Sequence, residues 1–293
     1  MQSQMFGGPW TEDKLDVLQG YLNAYTKALK NMPFELVYID AFAGTGYREE
    51  KAHGPTGKSL FPELTAGETQ AFLAGSARRS LMIERPFDRY VFVDKSPAKA
   101  ELLEGLRSEW PALASRIEVL PEDCNTYLQR VCKHGDWRGS RAVLFLDPFG
   151  MQVEWDTMEA VASTHVFDVW ILFPVSAVNR LLRKDANISA AWRNRLTKLF
   201  GTTAWYKELY RADHTRPLFG GRSQRRTKVR RLRDIWQYYY DRLAATFSRV
   251  TDSPKWLRNT KNTPLFVFCF GVSNPSLKAQ ELALRIADYL LKD

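Results

Sequence analysis

Apolar residues along this chain follow two alternating periods. Between Thr11 and about residue 30, Leu15, Leu18, Leu22 and Tyr25 recur every three or four positions, which predicts a helix with one buried stripe. Thr11 stands at its expected N-cap, and Glu12 and Asp13 follow in a first turn where acids complement the helix dipole. Short apolar runs predict strands at 34–39, 90–94, 117–120, 142–147 and 167–173. Helical spacing fills the intervals, at 60–75 with its continuation, 97–109, 124–133 and 155–163. The run 142–147 is almost wholly apolar, as expected of a strand covered on both faces. From 175 to about 249 the chain turns helical, basic and aromatic. It ends with a long apolar strand at 264–272 and a helix at 275–291, whose edge-hairpin partner is expected near 247–256.

Strands alternating with helices predict βαβ units and a Rossmann-like α/β sheet, mostly parallel, with an antiparallel C-terminal edge hairpin. The expected division of a single domain is an N-terminal helix (1–33), a cofactor-binding core (34–174), a helical basic insertion (175–250) and a closing strand and helix (251–293).

Composition narrows the class. With 293 residues, 45% of them hydrophobic and 13% aromatic, the chain can bury a full core, which excludes general disorder. No stretch approaches the roughly 18 apolar residues of a membrane helix. The N-terminal Met1-Gln2-Ser3-Gln4-Met5 lacks the basic-then-apolar pattern of a signal peptide. Cys124, Cys132 and Cys269 form no CxxC pair, and the four histidines are scattered, so neither a disulfide framework nor a zinc site is expected. Reduced thiols and no export signal place the expected location in the cytoplasm.

The net charge of +9 favours a polyanionic partner, and its distribution sharpens that expectation. The run RSQRRTKVRRLR holds seven basic residues and no acid: Arg222, Arg225, Arg226, Lys228, Arg230, Arg231 and Arg233. Such a run is either a solvated loop or helix face, or a surface that tracks phosphates and releases counterions from DNA or RNA. Trp236, Tyr238, Tyr239 and Tyr240 follow it; they can stack on bases, although at helical spacing some belong to the core.

Candidate chemistry centres on YIDAFAGTG, a strand that delivers Asp40 and breaks into a turn carrying Phe42, Gly44 and Gly46. Glycines let backbone approach a ligand at the carboxyl end of a strand. The third glycine of a pyrophosphate-binding turn is missing, since Tyr47-Arg48-Glu49 follows. The turn therefore suits the thioether stem and amino-acid end of S-adenosylmethionine better than a dinucleotide. Asp94 ends the next strand, where it can accept from both ribose hydroxyls, or simply cap the following helix. Asp123 can accept from an adenine amine or serve as an N-cap. Asp147-Pro148-Phe149-Gly150 ends the apolar strand: the aspartate and the carbonyl beside a proline that lacks N–H can orient an amine, and Phe149 can pack on a flipped base. The same four residues also make an ordinary turn. The segment 52–59 passes a loosened phosphate-loop pattern, but no buried strand precedes it, so a mobile closing segment touching ligand through Lys51, His53 and Lys58 is expected instead.

Several blocks together carry a resemblance: PWTEDKLDVLQGYLNAYTKAL, YIDAFAGTG, PFDRYVFVDKSP, LFLDPFGM and TPLFVFCFGVSNP. In this order, across nearly the whole chain, they resemble the three-Cys-motif partner family of bacteria and phages. That resemblance implies a class I methyltransferase fold and a companion protein bearing three cysteines and resembling radical adenosylmethionine enzymes. YIDAFAGTG is also similar to the F-x-G-x-G motif of adenine-N6 methyltransferases, through Phe42, Gly44 and Gly46. Their Asp-Pro-Pro-aromatic motif is matched by Asp147 and Pro148, whereas Phe149 replaces the second proline and Gly150 the aromatic residue. The expected activity is methyl transfer from adenosylmethionine to a nucleic-acid base, an adenine exocyclic amine. The alternatives are a non-catalytic nucleic-acid-binding or partner protein on the same scaffold, and a nucleotide hydrolase using Lys58.

Overall fold

The computed structural model describes residues 9–43, 75–148, 150–212, 226–228 and 231–292. In chain order these form α1 (Pro9–Ala28), β1 (Glu35–Asp40), α2 (Ser76–Leu81), β2 (Arg89–Val93), α3 (Pro97–Glu104), α4 (Leu106–Glu109) and β3 (Ile117–Leu120). There follow α5 (Cys124–His134), β4 (Ser140–Leu146), α6 (Trp155–Ser163), β5 (Phe167–Phe173), α7 (Val175–Leu181), α8 (Ala190–Phe200), α9 (Trp205–Leu209), β6 (Tyr210–Ala212) and β7 (Arg226–Lys228). The chain closes with α10 (Leu232–Thr246), β8 (Arg249–Val250), β9 (Lys255–Arg258), β10 (Pro264–Val272) and α11 (Leu277–Lys292).

Eight strands make one sheet in the order β3-β2-β1-β4-β5-β10-β8, with β9 also paired to β10. The first five positions are parallel, while β10 runs antiparallel to β5, β8 and β9. This is a Rossmann-like α/β sheet, mostly parallel, with the antiparallel C-terminal edge. The physical reason lies in the strands themselves. Every residue of β5 is buried, as is every residue of β4 except Arg141, so neither strand alternates and both must be covered on two faces. The edge partner is split into β8 and β9 rather than continuous, because Thr251 to Pro254 intervenes without pairing as a strand.

Helix α1 lies across the sheet, its aromatic side chains meeting those of β5 and β10: Tyr21 is 5.3 Å from Trp170 and 4.9 Å from Phe270, and Trp10 is 5.4 Å from Phe266. Thr11 is not its N-cap. The helix is already running at Pro9, a residue suited to a first turn, and Thr11 is buried inside it. Arg79 of α2 clamps the outer face of α1 through Glu12 at 2.5 Å, Asp16 at 3.0 Å and Gln19 at 2.8 Å. The helix expected at 97–109 is divided at Gly105 into α3 and α4. Of the helix expected at 60–75, only its continuation, α2, falls among the described residues.

The region 175–250 is not purely helical, since β6 and β7 form a two-stranded antiparallel sheet. Arg226 and Lys228 of the basic run therefore lie on a strand, and Arg231 precedes α10, its backbone N–H donating to Asp234 at 2.7 Å. The aromatic cluster beside them is internal packing. Tyr239 stacks on Phe173 at 4.1 Å, Tyr238 meets Phe200 edge-on at 5.1 Å, Trp236 is buried against Phe173, and the Tyr240 hydroxyl donates to Asp252. Helical spacing turns Trp236 and Tyr239 onto Phe173 of the sheet, while half-buried Tyr238 and Tyr240 stand to either side and are held by Phe200 and Asp252. Among the described residues no helix is long and apolar enough to cross a membrane.

Candidate functional site

In a sheet whose strand order reverses beside β1, the crevice outside the carboxyl ends of β1 and β4 is where ligands bind. Three of the expected carboxylates meet at this edge. Asp40 pairs in register with Phe92 of β2 and Phe145 of β4. Asp94 and Asp147 therefore each lie two residues beyond their strand's partner to Asp40, one on either side of it. The backbone opens at the same point: Ala41 N–H donates to the Phe145 carbonyl and Ala43 N–H to the Val93 carbonyl, both at 3.1 Å. The chain leaving β1 is thus held first by β4 and then by β2, which brings half-buried Phe42 across the crevice.

Asp40 is fully buried, and its Oδ1 accepts the Phe42 N–H at 3.2 Å. Its Oδ2 is buried and accepts no hydrogen bond of standard geometry among the described residues, although the Ser76 hydroxyl is near enough to act on the carboxyl. Burial pushes its carboxyl up to about 7, the Ser76 hydroxyl pulls it down, and nearby Asp147 pushes it further up. Tyr38, two residues earlier on β1, is buried with a hydroxyl that lacks a partner among the described residues. Burial and both carboxylates raise its pKa far above the usual phenol value.

Asp147 brings in a residue that the sequence reasoning missed. Its Oδ2 is 2.5 Å from Nζ of Lys14, a fully buried lysine on α1. The ammonium also stands 5.7 Å from the Phe145 ring and 5.9 Å from the Trp10 ring, within cation–π range of both. Asp147 Oδ1 is buried with no partner among the described residues. Burial raises the Asp147 pKa, and Lys14 opposes that rise. The available signal was a lysine at position 14 in a helix where Trp10, Leu18 and Tyr21 share its face. Pro148 is buried behind Asp147. The chain after it is anchored by Asn125 of α5, whose Nδ2 donates to the Gln152 carbonyl at 2.8 Å while its Oδ1 accepts from Glu154 N–H at 2.9 Å. Gly150 N–H donates to Gln152 Oε1 at 2.7 Å.

The other two acids have structural duties. Asp94 Oδ1 accepts the Ser96 N–H at 2.8 Å, and its Oδ2 is 3.8 Å from Lys99. Asp123 Oδ1 caps α5, accepting from Asn125 N–H at 2.9 Å and Thr126 N–H at 3.2 Å. Asp94 stays at the carboxyl edge with spare acceptor capacity, whereas the geometry of Asp123 is that of an N-cap. Gly44, Gly46 and Phe149 lie outside the described residues, as do Arg222, Arg225, Arg230 and the segment with Lys51, His53 and Lys58. Nothing is described of the Arg226 and Lys228 side chains; Arg231 and Arg233 are exposed.

No protein-family model matches the chain, and no curated protein matches it. Solved structures similar to it include a Legionella pneumophila protein of the DUF519 family, 14% identical, covering 97% of this chain and 92% of that one at a TM-score of 0.49. An Escherichia coli protein named as a candidate methyltransferase, yhhF, is 12% identical over 53% of this chain and 68% of that one, with a TM-score of 0.28. The plantazolicin methyltransferase BpumL, solved with SAH, is 9% identical over 90% of this chain and 85% of that one, with a TM-score of 0.31.

Proposed function

We propose that this protein transfers a methyl group from S-adenosylmethionine to a nucleic-acid base, an adenine exocyclic amine. The observation that carries it is the carboxyl edge between β1 and β4, where Asp147 Oδ1 is buried with no hydrogen-bond partner among the described residues and the buried Asp40 carboxyl stands beside it. A buried acceptor left unpaired costs roughly 1–3 kcal/mol, so a donor-rich ligand in the crevice there would relieve it. Asp40 and Asp94 would hold the cofactor, with the backbone at Phe42 beside it. Adenosylmethionine would supply an electrophilic methyl group there.

The chain's own part is positioning and proton handling. Asp147 Oδ1 would accept an N–H of the target amine and turn its lone pair toward the methyl donor. Were the N–C bond to form, the S–CH3 bond of the sulfonium would break and leave a neutral thioether, and the amine proton would pass to that oxygen or to water. Pro148 is buried and has no N–H to compete for the amine. The basic run 222–233 would track the phosphates, and the resemblance to three-Cys-motif partners proposes a three-cysteine protein as companion.

A second reading, a non-catalytic nucleic-acid-binding protein on this scaffold, is favoured by Gly150 at the position where adenine-N6 enzymes carry an aromatic residue. Calorimetric titration with adenosylmethionine, followed by a radiolabelled methyl-transfer screen on DNA and RNA pools, separates the two. Binding with transfer supports the enzyme. Binding without transfer on any pool supports the second reading, and no binding rejects the cofactor.

A further inference from the structure

We infer that Lys14 is a positioning residue for the methyl acceptor, holding Asp147 as a carboxylate with one oxygen occupied and the other open, so that α1 is part of the acceptor site. This rests on the methyl-transfer reading above. The geometry is specific: Nζ sits on Oδ2 at 2.5 Å, and Oδ1 is the oxygen with no partner among the described residues. Burying an ion pair seldom adds net stability, because desolvation of both charges offsets their attraction. An apolar pair would fill the same space at less cost, so stability alone is a poor account of a lysine placed between Trp10 and Phe145.

The electrostatics of the cluster agree. The groups facing Asp147 are Lys14 from α1 and Asp40 and Tyr38 from β1. Burial disfavours the Asp147 charge, and Lys14 opposes that through its charge and its hydrogen bond, while the Asp147 charge in turn pushes the Asp40 carboxyl up. Without the ammonium, Asp147 would keep its proton toward neutral pH and would offer a hydroxyl where the amine needs an acceptor. With it, the carboxylate cannot rotate freely, because Oδ2 is tied to a side chain seated between two rings.

Three variants and one direct measurement test this. Lys14→Met should shift the acid limb of the kcat/KM profile upward by at least one pH unit and lower the rate at pH 7 by tenfold or more. Adenosylmethionine affinity should change less than threefold. Lys14→Arg should keep the wild-type acid limb and most of the rate, which a merely space-filling lysine would not require. In parallel, carbon-13 carboxyl NMR, with the Asp147 resonance assigned by its loss in Asp147→Asn, should show Asp147 titrating below Asp40 in the wild-type protein and moving upward in Lys14→Met. An unshifted acid limb in a folded Lys14→Met, or a wild-type Asp147 titrating above Asp40, overturns the inference. The NMR result decides it even where Lys14→Met fails to fold. If the wild-type protein methylates nothing, the activity is rejected, and an ionised Asp147 would then stand as a property of the ion pair alone.

Discussion

The Tyr21 hydroxyl donates to Asp168 Oδ2 at 2.6 Å, at the amino end of β5 and thus at the end of the sheet opposite the candidate site. Burial pushes the Asp168 carboxyl up to about 7, and the Tyr21 hydroxyl and Arg141 pull it back only in part. A folded Asp168 therefore holds a proton that the unfolded chain, near 3.9, has released, and stability falls as pH rises from about 4 to 7. Asp40, also near 7, adds to the same slope. Each carboxyl should cost on the order of 2–4 kcal/mol between pH 5 and 8. Asp168→Asn keeps an acceptor for Tyr21 and should remove one share. Urea midpoints at the two pH values check this, and a variant with the wild-type slope would refute it.

Asp94→Ala should weaken adenosylmethionine binding by roughly 1.5–3 kcal/mol, the worth of hydrogen bonds to a charged acceptor. The loss of its Ser96 hydrogen bond should also lower stability slightly. Calorimetry on folded protein reads the first effect, and an unchanged dissociation constant would leave Asp94 only its role in the turn.

Gly201 ends α8 with φ +66, and a Cβ there would stand 2.2 Å from the ring of Trp155. Gly201→Ala should cost roughly 2–4 kcal/mol, combining left-handed strain with overpacking against a buried indole. Thermal unfolding reads the cost. A melting temperature equal to wild type would mean that α6 and α8 can slide apart cheaply.

Replacing Arg225, Arg226, Arg230 and Arg231 by glutamine should reduce the salt dependence of DNA or RNA binding, by up to ~0.9 in log–log slope for each phosphate no longer neutralised. Replacing Tyr239 by leucine should lower stability without changing that slope, since its ring is stacked on Phe173. An unchanged slope in the arginine variant would make the run a solvated surface.

Much of the sheet was legible because its central strands are apolar on both faces. The strands 117–120, 167–173 and 264–272 and the helix 155–163 are observed with the expected ends. The acids at strand ends were legible for the same reason: Asp40, Asp94 and Asp147 each interrupt an apolar run. Lys14 was not, because a lysine in an amphipathic helix usually faces water and its partner is 133 residues away. Asp123 carried two equal meanings in the sequence, and its bonds to Asn125 and Thr126 favour the cap. The aromatics after the basic run were ambiguous because helical spacing does not say which face meets the sheet.

Lys14 and Tyr21 stand on one face of α1, so a single rod is tied to acids 133 and 147 residues further along the chain. During synthesis at ~5–20 residues per second, that helix waits roughly 7–30 s for its partners to emerge. Until then Trp10, Lys14 and Tyr21 lack the partners that β5, β10 and the end of β4 supply. A helix made before the strands it ties together thus completes its contacts only when the C-terminal half of the sheet is in place.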